Sequence, residues 1–215
     1  VKKWLAVNLK SKTALPDVHI VQRYLEAAAP LGVKDDAKGL DYFISENDTV
    51  DISSINQNLK NGFVALVVGG SYYTKKIPLN KLIEICNNSK LPVVLMGGKE
   101  DNAFAEEVVS KCKNTFNACG KFSLNQSAFL ILNSAFVITS DTGLMHIAAA
   151  FNKKIFSLWG NTIPEFGMYP YKPGEGSKIL EVKDLKCRPC SKLGYSKCPK
   201  KHFKCMNEIT IVGSF

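Results

Sequence analysis

Several absences narrow the field before any motif is read. The sequence has no run of about 18 uncharged apolar residues, which excludes a transmembrane helix. Its longest apolar stretch, Ile147 to Trp159, is interrupted by Asn152, Lys153 and Lys154. No apolar segment follows the basic start, so no secretory signal is read. A phosphate-cradling loop of the G-x-x-x-x-G-K-[ST] type is missing. Histidine is scarce, at three residues, and acidic side chains are outnumbered, 19 against 28 Lys and Arg, for a net charge of +9. The 215 residues are 46% apolar and 22% charged, which excludes disorder, collagen and coiled coil for most of the chain. A chain of this length forms one large domain or two small ones and buries a core without staples. It opens on Val1, which reads as a fragment or processed form.

The positive charge is concentrated. Lys172 to Lys204 holds ten Lys/Arg and three Asp/Glu, hence +7. Such a segment suits an anionic partner, or else simply a solvated surface. Of the seven cysteines, Cys86, Cys112 and Cys119 stand in apolar or helical surroundings, whereas Cys187, Cys190, Cys198 and Cys205 cluster near the end. With no secretory signal, a reducing compartment is the expectation.

Residues 1–16 read as a weakly patterned basic arm. From Asp17 to Ala29, Val18, Val21, Tyr24, Leu25 and Ala28 share a helical face, with Asp17 as the N-cap and Pro30 and Gly32 closing the helix. Tyr42 to Ile44 reads as a short strand and 45–61 as a linker. A regular alternation follows. Apolar runs at Phe63–Val68, Pro92–Met96, Thr115–Cys119, Phe136–Thr139 and Ile155–Trp159 predict strands. Between them, Pro78–Asn87, Asn102–Lys111, Gln126–Asn133 and Leu144–Phe151 predict helices. Strands that alternate with helices, and are apolar throughout, predict an α/β fold with a parallel sheet covered on both faces. The division expected is an arm, helix and linker over 1–60, a Rossmann-like domain over 61–186, and a cysteine-rich basic tail over 187–215.

Each predicted strand exits into glycine or a small polar residue, where ligands bind in open α/β sheets. At Ser140-Asp141-Thr142-Gly143 a strand gives way to a helix whose N–H groups and positive dipole end suit a phosphate. Thr142 can add a hydroxyl, and His146 lies one turn in. Asp141 would cap the helix or accept from a sugar hydroxyl. The alternative is a helix that merely packs through Leu144, Ile147 and Ala148. At Gly69-Gly70 a glycine pair precedes Lys75-Lys76, a counter-charge for a diphosphate or a solvated loop. At Gly97-Gly98, Asp101 suits a ribose diol or caps the helix that follows.

Taken together, these stretches resemble a known family. The run DTGLMHIAAA, followed by IFSLWGNTIPEFGMYPY, is similar to the C-terminal half of glycosyltransferase family 9, the ADP-heptose:lipopolysaccharide heptosyltransferases. The GG-x(4)-K-x-x-P stretch, the GGKED stretch and the ending CRPCSKLGYSKCPKKHFKCM stand in that family's order, and the likeness covers roughly residues 60–206. The resemblance implies a GT-B architecture, two Rossmann-like domains flanking a cleft, of which this chain would be the C-terminal, donor-binding half. It implies that Lys75 meets the donor phosphates and Asp101 the ribose or sugar. Asp141, Thr142, Gly143 and His146 would line the diphosphate and sugar pocket, and Phe122 would lie at the adenine. Asn161 and Thr162 occupy the next strand exit. Nothing in 1–60 resembles the acceptor domain that carries the general base, so the catalytic residues are unassigned and the chain alone is expected to be inactive. No D-x-D occurs, and neither metal nor cofactor is expected. The implied partners are an ADP-sugar donor, a lipopolysaccharide core acceptor and an anionic membrane surface, in the cytoplasm against the inner membrane, with no nucleic acid.

The tail leaves alternatives open. Cys187, Cys190, Cys198, Cys205 and His202 are enough ligands for a zinc ion, but Pro189 sits inside the first pair and the second spacing is wide for a knuckle. Disulfides and free thiols are the other readings. The competing function is a basic, cysteine-rich nucleic-acid or zinc module, supported by Tyr195 and Phe203 among the lysines.

Overall fold

A computed structural model describes residues 2–16 and 18–211. Six strands form one sheet in the order β3-β2-β1-β4-β5-β6, every neighbouring pair parallel. They are β1 (Val64–Val67), β2 (Val93–Met96), β3 (Thr115–Asn117), β4 (Phe136–Ser140), β5 (Ile155–Trp159) and β6 (Lys178–Glu181). The helices are α1 (Lys2–Asn8), α2 (Ile20–Ala28), α3 (Ile52–Ile55), α4 (Leu79–Asn88), α5 (Asn102–Val109), α6 (Leu124–Asn133), α7 (Gly143–Ala150) and α8 (Lys204–Asn207). The α/β, Rossmann-like sheet expected from the alternation is what forms.

The continuous apolar runs follow from burial on both faces. In β1, Val64 and Leu66 enter one core with Leu82 and Ile85 of α4 and Ala105 and Val108 of α5. Ala65 and Val67 enter the other, with Leu130 and Ile131 of α6 and Met145 and Ala148 of α7. Each Val, Leu, Ile or Met among them contributes about 1.5–3 kcal/mol on burial. The tail joins the first core through Phe203, Cys205, Met206 and Ile209.

Three expectations are corrected, and two elements appear that the sequence does not reveal. The N-terminal arm is helical in part: α1 buries Ala6 against Ile163 and Phe166, a contact no local pattern reveals. Tyr42 to Ile44 is not a strand, because it meets side chains and not a sheet edge. Tyr42 donates to Asn125 Oδ1 at 2.8 Å and packs edge-on against Phe151. The linker over 45–61 contains a turn capped by Ser45, then α3 capped by Asp51, and buries Leu59. β6 passed unread because it is an edge strand whose KILE sequence stays exposed or half-buried. α8 is a single turn too short to show a period.

The helix expected from Asp17 begins at Ile20. Asp17 itself lies outside the described residues, and His19 is the cap. His19 Nδ1 accepts from the Val21 N–H at 3.1 Å, and Gln22 Oε1 accepts from the His19 N–H at 3.1 Å. None of the α2 face is fully buried, and Tyr24 points to solvent.

His19 is itself buried. With Nδ1 accepting, its proton sits on Nε2, which donates to the Tyr169 carbonyl at 2.7 Å. Burial, the largest cause, pushes its pKa below 6.5, helped by Arg23 and opposed by the Tyr169 bond. Protonation would set two N–H donors face to face at Val21. A folded pKa below the unfolded one means that the unfolded chain binds the proton more readily, so stability is full above pH 6.5 and is lost as pH falls below it. Urea unfolding should show the midpoint falling between about pH 7 and pH 5, with a smaller slope in His19→Asn, which keeps a capping oxygen. An unchanged slope in that variant would sink the assignment.

Candidate functional site

β1 and β4 are neighbours in the sheet but not in the chain. The helices that follow them, α4 and α7, pack on opposite faces. Their connections therefore diverge, and a crevice opens at the carboxyl ends of the strands. A cavity of about 760 Å³ fills it. Its walls come from the exits of β1, β2 and β4 and from the start of α6. All seven residues expected at the site line it: Lys75, Asp101, Phe122, Asp141, Thr142, Gly143 and His146. Asn161 and Thr162 are buried at the β5 exit.

An ion pair spans the crevice. Lys75 Nζ lies 2.7 Å from Asp141 Oδ2, the side chains 17% and 11% exposed. Thr162 donates its hydroxyl to the same oxygen at 3.2 Å. Asp141 is thus no helix cap. Thr142 holds the N-cap position of α7 and makes no side-chain capping bond, its hydroxyl meeting Thr139 Oγ1 at 3.1 Å. A side chain at Gly143 would meet nothing within 4 Å, so the first turn of α7 stands open at its positive end. His146 faces the same space. Burial lowers its pKa, Lys75 and His19 add to this, and Asp141 opposes it. At neutral pH its ring is uncharged, one nitrogen donating and one accepting.

Asp101 and its neighbour Glu100 turn in opposite directions, one into the protein and the other toward the cavity. Asp101 is 1% exposed. Its Oδ2 accepts from the Gly98 N–H at 3.0 Å, and Oδ1 pairs with Lys76. A Cβ on Gly69 or Gly97 would stand 2.6 or 2.8 Å from that Oδ2, so both glycines admit the carboxylate and let it pin the β1 exit to the β2 exit. Glu100, next in the chain, lines the cavity and is exposed, its carboxylate folded over Gly98. Glu100 is the carboxylate that a ligand meets freely, and nothing in the GGKED spacing distinguishes it from Asp101.

The tail supports this arrangement from behind. Buried Arg188 donates to the carbonyls of Gly160 at 2.6 Å and Thr162 at 2.9 Å, and pairs with Glu181 at 2.8 Å. It thereby fixes the loop whose hydroxyl holds Asp141. Tyr195 exchanges backbone bonds with Thr74, its N–H donating to Thr74 Oγ1 at 2.8 Å and its carbonyl accepting from Thr74 N–H at 3.1 Å. Leu193 and Met168, which lie within two of the family-like stretches without being singled out there, reach the cavity as well.

All seven cysteines are free. Among the described residues, no group of three or more His, Cys, Asp or Glu side chains is placed to hold a metal ion. His202 Nδ1 accepts from the Lys204 N–H at 3.0 Å, so in the neutral ring the proton is on Nε2. That nitrogen faces Cys187 Sγ at 3.9 Å.

Comparison with known proteins gives this site a setting. The family model for glycosyltransferase family 9 (heptosyltransferase) matches residues 2–199. The chain belongs to glycosyltransferase family 9. It is 36% identical over 91 residues to lipooligosaccharide heptosyltransferase 2 of Haemophilus influenzae, covering 40% of this chain and 26% of that protein. To lipopolysaccharide heptosyltransferase 2 of Salmonella typhimurium it is 26% identical over 164 residues, covering 68% and 47%. The chain thus spans about half, or less, of the length of these curated relatives. The fold matches a family 9 glycosyltransferase from Veillonella parvula with a TM-score of 0.64 at 21% identity, over 80% of this chain and 53% of that one. It also matches the Escherichia coli heptosyltransferase WaaC with ADP, with a TM-score of 0.56 at 20% identity, over 76% and 50%. Neither family nor fold supports the nucleic-acid alternative. No helix among the described residues is long and apolar enough to cross a membrane.

The division of labour between the two carboxylates is measurable. Asp101→Ala should lower the unfolding free energy by about 2–4 kcal/mol, because it strips the half-buried Gly98 N–H and Lys76 of their acceptor. Glu100→Gln should stay within about 0.5 kcal/mol, as an exposed substitution does. Equal effects of the two in urea titrations would overturn the distinction.

Proposed function

We propose that this chain is the donor-binding half of a GT-B heptosyltransferase, and that it holds ADP-heptose for transfer to lipopolysaccharide core. The carrying observation is the Lys75–Asp141 pair at the uncapped start of α7, in a crevice at the sheet's switch point. A diphosphate entering there meets an ammonium group and open N–H donors together. Lys75 turns from Asp141 to the phosphate, and Asp141, still held by Thr162, is released to accept a sugar hydroxyl. Uncharged His146 offers a further donor. Glu100 takes the ribose diol, with Asp101 fixing the turn beneath it, and Phe122 supports the adenine.

In this reading the reaction is displacement at the anomeric carbon. The acceptor hydroxyl gives its proton to a base on the other half of the protein, the new glycosidic bond forms, and the bond to the diphosphate breaks. Charge grows on the leaving diphosphate, and Lys75 and the α7 N-terminus stabilise it where it develops. The work takes place in the cytoplasm, with the +7 segment set toward an anionic membrane surface.

Calorimetric titration with ADP, and with UDP and GDP as controls, tests the reading. ADP should bind selectively. Lys75→Ala should weaken it by about 10- to 100-fold, the loss of one charge-assisted contact, and Glu100→Gln by about tenfold. Absence of ADP binding at millimolar concentration, by a chain shown to be folded, would sink it.

A further inference from the structure

The proposed function leaves two features unused, a second cavity and the C-x-x-C motif, and lysines of the +7 segment surround both. The cavity measures about 700 Å³, within the range of small-molecule pockets. It shares a loop with the donor crevice, since Leu193 lines the crevice while Cys190 and Tyr195 line this cavity. Its charge is one-sided, with Lys10, Lys186, Lys200 and Lys204 against the single carboxylate of Asp184. Lys10 folds over the motif, its ammonium donating to the Val7 carbonyl at 2.7 Å and the Pro189 carbonyl at 2.8 Å.

The two thiols of the motif both line the cavity, in different environments. Cys190 Sγ donates to the Cys187 carbonyl at 3.1 Å and is therefore a protonated thiol. Burial, and next the neighbouring Cys187 thiol, push its pKa up to about 11. Cys187 is half-buried and faces the Nε2–H of His202 at 3.9 Å, among the lysines. Cys86, Cys119 and Cys205 lie in the core instead, each pushed up to about 12 chiefly by burial.

We propose that Cys187 and Cys190 form a thiol–disulfide exchange site for an anionic, low-molecular-weight disulfide of the glutathione class. The lysines recognise its carboxylates, and His202 stands beside the Cys187 sulfur. In the first step Cys187 gives up its proton to solvent, and its sulfur attacks one sulfur of the small disulfide. A mixed disulfide forms and one small thiolate leaves, taking up a proton. In the second step Cys190 loses its proton and attacks Cys187 Sγ, the Cys187–Cys190 bond forms, and the second small thiol is released. Two protein thiols are oxidised and one small disulfide is reduced to two thiols. An excess of the small thiol runs the sequence backwards.

The test uses the full chain, reduced and then exposed to glutathione disulfide, with intact mass followed over time and the linked residues mapped after alkylation. The expected product is a Cys187–Cys190 disulfide. Cys190→Ser should stop at the mixed disulfide on Cys187, and Cys187→Ser should slow oxidation by about tenfold or more. Raising the salt from about 20 mM to about 500 mM should slow the reaction with glutathione disulfide several-fold, and leave that with uncharged hydroxyethyl disulfide nearly unchanged. The double variant Lys186→Gln/Lys200→Gln, both exposed positions, should reproduce the high-salt rate at low salt. Oxidation that proceeds unchanged in Cys187→Ser, that maps to Cys112 or Cys198, or that ignores salt would overturn the proposal.

Discussion

The Lys75–Asp141 ion pair joins the exits of the two central strands, β1 and β4, and the rest of the site is arranged around it. Each of the two loops turns away on its own side of the sheet, so without a link between them the crevice has no fixed width. The pair supplies the link while the crevice is empty. It is shielded enough for the attraction to count, yet open enough at 17% and 11% exposure for an arriving anion to reach the ammonium. An anion that takes the ammonium leaves Asp141 needing a new donor, which the Thr162 hydroxyl supplies only in part. A ligand that satisfies both groups must carry negative charge and a hydroxyl close together, as a sugar diphosphate does.

The pair depends in turn on the tail. Arg188 anchors the Gly160–Thr162 loop beneath Asp141, and Tyr195 braces Thr74, the residue before Lys75. Both partners of the ion pair are therefore set from the same stretch of chain, more than 40 residues beyond Asp141 in one case and 100 beyond Lys75 in the other. Gly194, at φ +156°, lets that stretch pass flat against Tyr72, where a Cβ would collide with the ring. Phe203, Cys205 and Met206 then carry the tail into the core under the sheet. Of its cysteines, Cys187 and Cys190 line the basic cavity, Cys205 is buried in that core and Cys198 packs against it.

How much of this was legible in the sequence follows the range of the forces involved. Strands β1, β2, β4 and β5 could be read because burial on both faces demands largely apolar runs, a local signal, and the edge strand β3 because it stands in the alternation around them. Their small-residue exits were equally plain, and the seven residues chosen there do converge on one cavity. What stayed hidden depends on contacts distant in the chain. The helix α1 exists for Ala6 to meet Ile163 and Phe166, and β6 pairs with β5 while keeping a polar outer face. Glu100 and Asp101 are adjacent and chemically alike, and only the approach of Gly69 across the sheet decides which is buried. Capping by His19 was similarly opaque, since the usual capping residue, Asp17, stands two positions earlier in a better sequence context.

The loop from Cys190 to Tyr195 carries this interdependence furthest. One side of it contributes Leu193 to the donor crevice, and the other contributes Cys190 and Tyr195 to the basic cavity. Cys190 is tied through its N–H to the Asn161 carbonyl, and Asn161 to the Ser191 hydroxyl, within the same loop that presents Thr162. Any rearrangement that draws the Cys190 sulfur toward Cys187 therefore pulls on a segment already fastened at both ends to the walls of the crevice. Close-packed layers pass such strain on instead of absorbing it locally. The hydrogen bonds thus brace the thiol pair and the Lys75–Asp141 pair through the same loops.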